Sequence, residues 1–261
     1  MSKVVLITGA SRGIGKQLAI DLAKRGDSIV LLANDADRLI AVEREIAHMG
    51  GKAIAIPCDV RDGVAFKAAL AQTLQTFGRL DLAILNAGVG YTMKYSEFDE
   101  TIFDAVIETN LTAAAKGMAW CAEIMKQQRS GTIVGIGSLA DNRAIPGSST
   151  YSASKAALNI IFETAAIELA PDGVKVITVR PGFVDTDMLA DNVTPMPMLM
   201  SAQQVSKIIL QCIDRGKRHV AFPMPIRFGA AILRLLPRSV WHWATGRNLT
   251  TNPPDREQAL K

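Results

Sequence analysis

The chain has 261 residues, 49% hydrophobic and 21% charged, enough to build one full α/β domain around its own core. Its net charge of +4 lies in the tail: residues 223–261 hold six basic side chains (Arg227, Arg234, Arg238, Arg247, Arg256 and Lys261) against Asp255 and Glu257, so residues 1–222 are neutral overall. A neutral body without a recognition motif argues against a nucleic-acid partner, and no apolar run reaches the length of a bilayer span.

In chain order, Val4–Ile7 is a short β-branched run of the kind that forms a buried parallel strand. Thr8-Gly-Ala-Ser-Arg-Gly-Ile-Gly15 follows at once, then a helical pattern of Ile14, Leu18 and Leu22. Strand, glycine-rich turn and helix in this order let backbone N–H groups and a helix N-terminus meet a pyrophosphate. A second strand spans 28–33 and is followed by Asn34 and Asp35; a third, 53–57, leads to Asp59 and Val60. The fourth, 82–85, ends in Asn86-Ala87-Gly88, with Tyr91 and Met93 just beyond. A helical pattern over 101–127 has Asn110 in its interior, where asparagine is a poor helix former. The fifth strand, 132–137, ends at Ser138, with Ala144 and Ile145 after it. The helix predicted over 150–170 carries Tyr151 and Lys155, four residues apart and therefore on one face, about 5–6 Å apart at Cβ. A cation there favours the phenolate, which lets the pair exchange a proton near neutral pH. The sixth strand, 174–179, precedes Pro181-Gly182, Val184 and Thr186, and a seventh ends at Pro223. The alternation predicts a Rossmann-like doubly wound parallel sheet of about seven strands with helices on both faces.

T-G-x-x-x-G-x-G (Gly9, Gly13, Gly15) together with Y-x-x-x-K resembles the short-chain dehydrogenase/reductase family in its single-domain form, over roughly residues 3–222. The resemblance implies a catalytic set of Asn110, Ser138, Tyr151 and Lys155. Ser138 would polarise a carbonyl oxygen, Tyr151 would act as general acid, Lys155 would tune the tyrosine and bind the nicotinamide ribose, and Asn110 would hold a relay water. It implies a cofactor site of Thr8, Gly9, Ser11, Arg12, Gly13, Ile14, Gly15, Asn34, Asp59, Val60, Asn86, Ala87, Gly88, Tyr151, Lys155, Pro181, Gly182, Val184 and Thr186. Asp59 would bond the adenine amino group, and Pro181 to Thr186 would meet the nicotinamide carboxamide and diphosphate. Leu85 stands where the family has the first asparagine of N-N-A-G.

NAD-preferring relatives place an acid at the position of Ala33. Its absence, with Arg12 beside Gly13, favours NADP(H), although Asn34 is neutral and Asp35 could oppose a 2′-phosphate; NAD(H) remains the second choice. The expected reaction interconverts a carbonyl and a secondary alcohol. The alternatives are an NAD-dependent alcohol dehydrogenase working oxidatively and a non-catalytic nicotinamide-binding regulator or scaffold. Met188, Leu189, Met196, Met198, Leu199 and Met200 form a methionine-rich loop, and with Tyr91, Met93, Ser138, Ala144 and Ile145 they suggest a wall for a bulky hydrophobic, lipid-like or steroid-like ketone.

The separated Cys58, Cys121 and Cys212 and His48, His219 and His242 predict no metal and reduced, buried thiols. An N-terminus that runs straight into a strand reads as no signal peptide, hence a cytoplasmic protein. Family helices at 101–127 and 150–170 form dimer interfaces, so a homodimer or homotetramer is expected, with Ala113, Ala114, Ala115, Ala156, Ala157, Ala165 and Ala166 allowing close approach or facing the sheet instead. Residues 223–261 form an extension: a short apolar helix over 226–236, Pro237, then Trp241 and Trp243, and a polar end expected to fray. Packing of this helix on the domain or on another subunit is the favoured expectation, and peripheral membrane contact through 224–245 is the alternative.

Overall fold

The computed structural model describes residues 2–189 and 196–246. Part of the methionine-rich loop and the polar end of the tail lie outside the described residues.

Seven parallel strands form the central sheet: β1 (Val4–Thr8), β2 (Ser28–Ala33), β3 (Lys52–Pro57), β4 (Leu82–Leu85), β5 (Gly131–Ile136), β6 (Val174–Pro181) and, after the short β7 (Val184–Asp185) and β8 (Met200–Ser201), β9 (His219–Phe222). Their order is β3-β2-β1-β4-β5-β6-β9. The chain winds outward from β1 in one direction and then restarts at β4 in the other, so a crevice opens at the C-terminal ends of β1 and β4.

Helices α1 (Gly13–Lys24), α2 (Ala36–His48) and α7 (Ala202–Asp214) share one apolar core, and α3 (Gly63–Phe77), α5 (Ala114–Gln127) and α6 (Ser149–Glu168) share another. Strand residues alternate between the two: Val4, Leu6, Val30 and Leu32 enter one, Val5, Ile7, Ile29 and Leu31 the other. Being covered on both faces is why these strands read as unbroken apolar runs. Leu85 packs in the core at the position where an asparagine was missing.

Helix boundaries follow their caps. Asp35 accepts the Arg38 N–H ahead of α2, Asp62 accepts those of Val64 and Ala65 ahead of α3, and Ser201 with Gln204 forms a capping box on α7. The pattern over 101–127 resolves into α4 (Glu100–Ile107), a π-helical turn (Glu108–Ala113) and α5. Ala113, Ala114, Ala165 and Ala166 are buried in the core, so they face the sheet and not a second subunit.

The tail forms α8 (Met224–Leu235) and α9 (Arg238–Gly246). The expected packing of α8 on its own domain is only partly met. Ile226 lies against Gly182, 3.5 Å from where a Cβ there would sit, but Met224, Phe228, Ile232 and Leu235 are exposed.

Candidate active site

At the switch point the ends of β1 and β4 are tied together. The Thr8 hydroxyl accepts the N–H groups of Asn86 (2.9 Å) and Ala87 (3.0 Å), and Asn86 Nδ2 donates to the carbonyls of Thr8 (3.1 Å) and Gly9 (3.2 Å). The turn between β1 and α1 leaves no room for side chains at its three glycines. Gly9 and Gly13 adopt φ of 64° and 56°, and a Cβ on Gly15 would stand 2.2 Å from the Gly9 carbonyl oxygen. A Cβ on Gly13 would stand 3.0 Å from Thr186 Cγ2, so the loop after β6, with Pro181, Gly182 and Val184, closes against this turn. Ser11 and Ile14 are half-buried within it. Helix α1 has no side-chain cap and no acidic residue in its first turn, which leaves its N-terminal backbone donors for an anion.

Beside this turn, Ala33 is buried and Asn34 is exposed. Asp35 is engaged as the cap of α2 and lies 3.4 Å from Arg38 Nε. Asp187 Oδ2 lies 2.9 Å from an Arg38 nitrogen and 3.6 Å from one of Arg12, so two guanidinium groups converge on one carboxylate oxygen. Sequence reasoning named Arg12 and missed Arg38; its place three residues after the Asp35 cap, which turns it back over the end of β2, was the available signal. Asp59 is gripped by Arg61 at 2.6 Å, which holds its carboxyl below the usual range. Its expected role toward adenine is therefore shared with a neighbouring guanidinium. Val60 is buried in the core alongside Phe66.

The catalytic candidates meet at the end of β5. Ser138 Oγ accepts the Ala140 N–H at 3.1 Å and hydrogen-bonds with the Tyr151 phenol. Lys155, 5% exposed, donates to the Ile136 carbonyl at 2.9 Å, and its Nζ lies 5.8 Å from the Tyr151 ring centre. Burial pushes the Lys155 ammonium down to about 8. Burial also pushes the Tyr151 phenol above its ordinary value; the bond with Ser138 opposes this and the Asp141 carboxylate adds to it. Desolvation is thus the largest influence on the phenol, acting against the lowering expected from Lys155.

Asn110 sits inside the π turn, fully buried. Its side chain accepts the Val89 N–H (2.8 Å), donates to the Val89 carbonyl (2.8 Å) and reaches Ser154 Oγ (3.3 Å). It therefore holds the loop beyond β4 in place. A Cβ on Gly88 would be 3.1 Å from Asn110 Oδ1 and 3.5 Å from Lys155 Nζ, so this glycine, after Ala87, lets the loop approach both.

On the substrate side, a Cβ on Gly90 would be 3.3 Å from Met188 Sδ and 3.7 Å from Tyr151 Cδ2, so Gly90 lets this loop lie close to both. Tyr91 is half-buried, and Ile145 and Met188 are exposed. Met93 is corrected: it is buried against Ile102 in a small separate cluster, not on an open wall. Ala144 accepts the Trp241 indole N–H at 2.9 Å, and Arg143 donates to the carbonyls of Leu233 and Leu236 while stacking on Trp241 at 5.2 Å. The tail thus borders an open cavity of about 710 Å³ beside the loop after β5, lined in part by Arg143, Ala144, Arg234, Arg238 and Trp241. Asp141 and Arg180 form a half-buried ion pair that joins this loop to β6. Neither the clamp nor the pair was foreseen, since both join residues distant in sequence. Among the described residues no group of three or more His, Cys, Asp or Glu could hold a metal.

The model of the family described as short chain dehydrogenase matches residues 3–196. An oxidoreductase of Myxococcus xanthus is 32% identical over 94% of this chain and 97% of its own length. An 11-beta-hydroxysteroid dehydrogenase-like protein of Arabidopsis thaliana is 35% identical over 91% of this chain and 79% of its own. Among solved structures, a metagenomic short-chain oxidoreductase in complex with NADP superposes with a TM-score of 0.74 at 32% identity, covering 85% of this chain and 97% of that one. A 7α-hydroxysteroid dehydrogenase complexed with NADH and 7-oxo glycochenodeoxycholic acid gives 0.79 at 26% identity, covering 84% and 92%. With the fold, the glycine turn and the Ser138–Tyr151–Lys155 cluster in agreement, this chain belongs to the short-chain dehydrogenase/reductase family of oxidoreductases.

Proposed function

We propose that the chain is an NADP(H)-dependent carbonyl reductase acting on a bulky hydrophobic ketone. The convergence of Ser138, Tyr151 and Lys155 at the C-terminal edge of the sheet carries this reading. The residues fit a nicotinamide dinucleotide: a glycine cradle that a Cβ would fill, an uncapped helix N-terminus and a pair of guanidinium groups beside it. When bound, the nicotinamide supplies or accepts the hydride.

The chain's own groups do the rest. Ser138 donates a hydrogen bond to the substrate oxygen as charge builds there. Tyr151 is protonated at neutral pH, as a general acid in the reductive direction must be, and the charge building on the substrate oxygen with the Lys155 ammonium nearby favours its transfer. The Lys155 ammonium stabilises the phenolate left behind, and with its value near 8 it can pass a proton on in turn. Asn110 fixes the loop that closes this corner.

For the cofactor, a 2′-phosphate is a better partner than the Asp187 carboxylate for the Arg12 and Arg38 guanidinium groups, and no acid stands at Ala33 to repel it. The NADP complex of one structural relative supports this choice. The NADH complex of another keeps an NAD-dependent reaction as the second reading. The exposed Met188 and Ile145 and the steroid-dehydrogenase names of two relatives support a bulky apolar substrate. Ile160 and Ile167 stand exposed seven residues apart on α6, in keeping with a homodimer or homotetramer built on that face; light-scattering mass measurement would return a monomer if this is wrong.

The test is a panel of carbonyl compounds assayed through NADPH absorbance, with both cofactors. Turnover with NADPH that falls by about 10²–10⁴-fold in Tyr151→Phe, with cofactor binding kept, is expected. A tenfold preference for NADH in kcat/KM would overturn the cofactor assignment.

A further inference from the structure

We infer that α8 and α9 form a docking surface for an anionic lipid bilayer. Met224, Phe228, Ile232 and Leu235 recur at steps of four, four and three along α8, which places them on one stripe of the helix. All four are exposed, at 51%, 59%, 62% and 84%, while Ile226 on the opposite side turns in toward Gly182. The sheet-facing side of α8 is thus already used, and the apolar stripe points away from the domain. Val240 and Trp243 on α9 are also exposed.

Charge decides what covers this stripe. Residues 215–254 contain seven basic side chains, Arg215, Lys217, Arg218, Arg227, Arg234, Arg238 and Arg247, and no Asp or Glu. Arg227 and Arg234 lie along the flank of the stripe on α8, and Arg238 opens α9. Among the described residues no carboxylate lies within ion-pair distance of any of these three, and only Arg234 feels one, Asp141, at longer range. A twofold contact between two copies would set this acid-free segment against itself, which like-charge repulsion opposes. A surface of anionic phosphates offers the opposite charge, with an acyl region beneath it for the apolar stripe. An aromatic and aliphatic face bordered by arginines is the composition of a helix that lies in the plane of such an interface. At twelve residues α8 is about 18 Å long, and among the described residues no helix is long and apolar enough to cross a membrane, so the contact is peripheral.

The experiment is co-sedimentation of the full chain with vesicles of phosphatidylcholine alone and of phosphatidylcholine mixed with phosphatidylglycerol. Binding to the mixed vesicles, weakened by added salt and absent with phosphatidylcholine alone, is the expected result. Arg227→Gln, Arg234→Gln and Arg238→Gln should each weaken binding about fivefold. The double variant Phe228→Ser/Ile232→Ser should lose binding yet keep its thermal midpoint and its turnover of a water-soluble ketone. Vesicle binding is read without turnover, so it can fail while the proposed reaction stands, and the reverse. Lack of sedimentation by the parent chain, or a dimer that Phe228→Ser/Ile232→Ser converts to monomer without any vesicle binding by the parent, would overturn the inference.

Discussion

Desolvation holds the half-buried Tyr151 phenol above its ordinary value and pushes the buried Lys155 ammonium down. Burial disfavours the charged form of each, which moves an acid up and a base down. The Lys155 ammonium is present below about pH 8 and lost above it, while Tyr151 remains protonated on both sides of that point. The reductive kcat/KM should therefore be flat through neutrality and decline above about pH 8, and a rate profile across this range checks it. In Lys155→Met the rate should be low throughout and the decline near 8 should vanish; a wild-type decline centred below neutrality would contradict the assignment. Arg12 and Arg38 offer a second check at this scale. Either arginine replaced by alanine should raise KM for NADPH about tenfold and leave that for NADH unchanged, since charge-assisted bonds to an exposed phosphate are worth on the order of 1.5 kcal/mol. The sequence made Arg12, Ser138, Tyr151 and Lys155 legible because their spacing is local. Arg38 and the Asp141–Arg180 pair were not legible, because their partners come from other parts of the chain.

The position of α6 over β5 rests on a close contact. A Cβ on Gly135 would stand 2.4 Å from the Phe162 ring, and the same helix carries Tyr151 and Lys155. Gly135→Ala should cost about 1–3 kcal/mol in stability by overpacking, and should lower kcat at least tenfold by shifting the phenol relative to Ser138. Denaturant melts and steady-state kinetics on the same sample would separate the two effects. The π turn around Asn110 belongs to this scale as well. Apolar periodicity announced a helix over 101–127 and gave its ends to within a residue, but an extra residue in one turn leaves the pattern nearly intact. The turn follows from the Asn110 side chain bonding Val89 across the site, which a local pattern does not encode. For α8, the apolar residues were visible in sequence; which of them face outward depends on Ile226 finding Gly182.

The doubly wound sheet was legible in outline because strands covered on both faces are short, apolar and regularly spaced by helices. The same coverage hides the thiols: Cys58, Cys121 and Cys212 are all buried, and burial pushes the first two up to about 11 and about 12. A maleimide at neutral pH should label none of the three in the native protein and all of them in denaturant. Rapid native labelling would show that one face of the sheet opens readily. The clamp made by Arg143 ties the loop after β5 to the tail. It grips the two carbonyls at the end of α8 from a position five residues past Ser138, whereas Tyr151 and Lys155 are anchored separately on α6. Edits to the last two helices should therefore act on the cavity beside Arg143 and leave the anchoring of Tyr151 and Lys155 on α6 in place. A tail grafted from a relative should leave kcat nearly constant, and a change of KM across a set of ketones would show that this cavity selects among them.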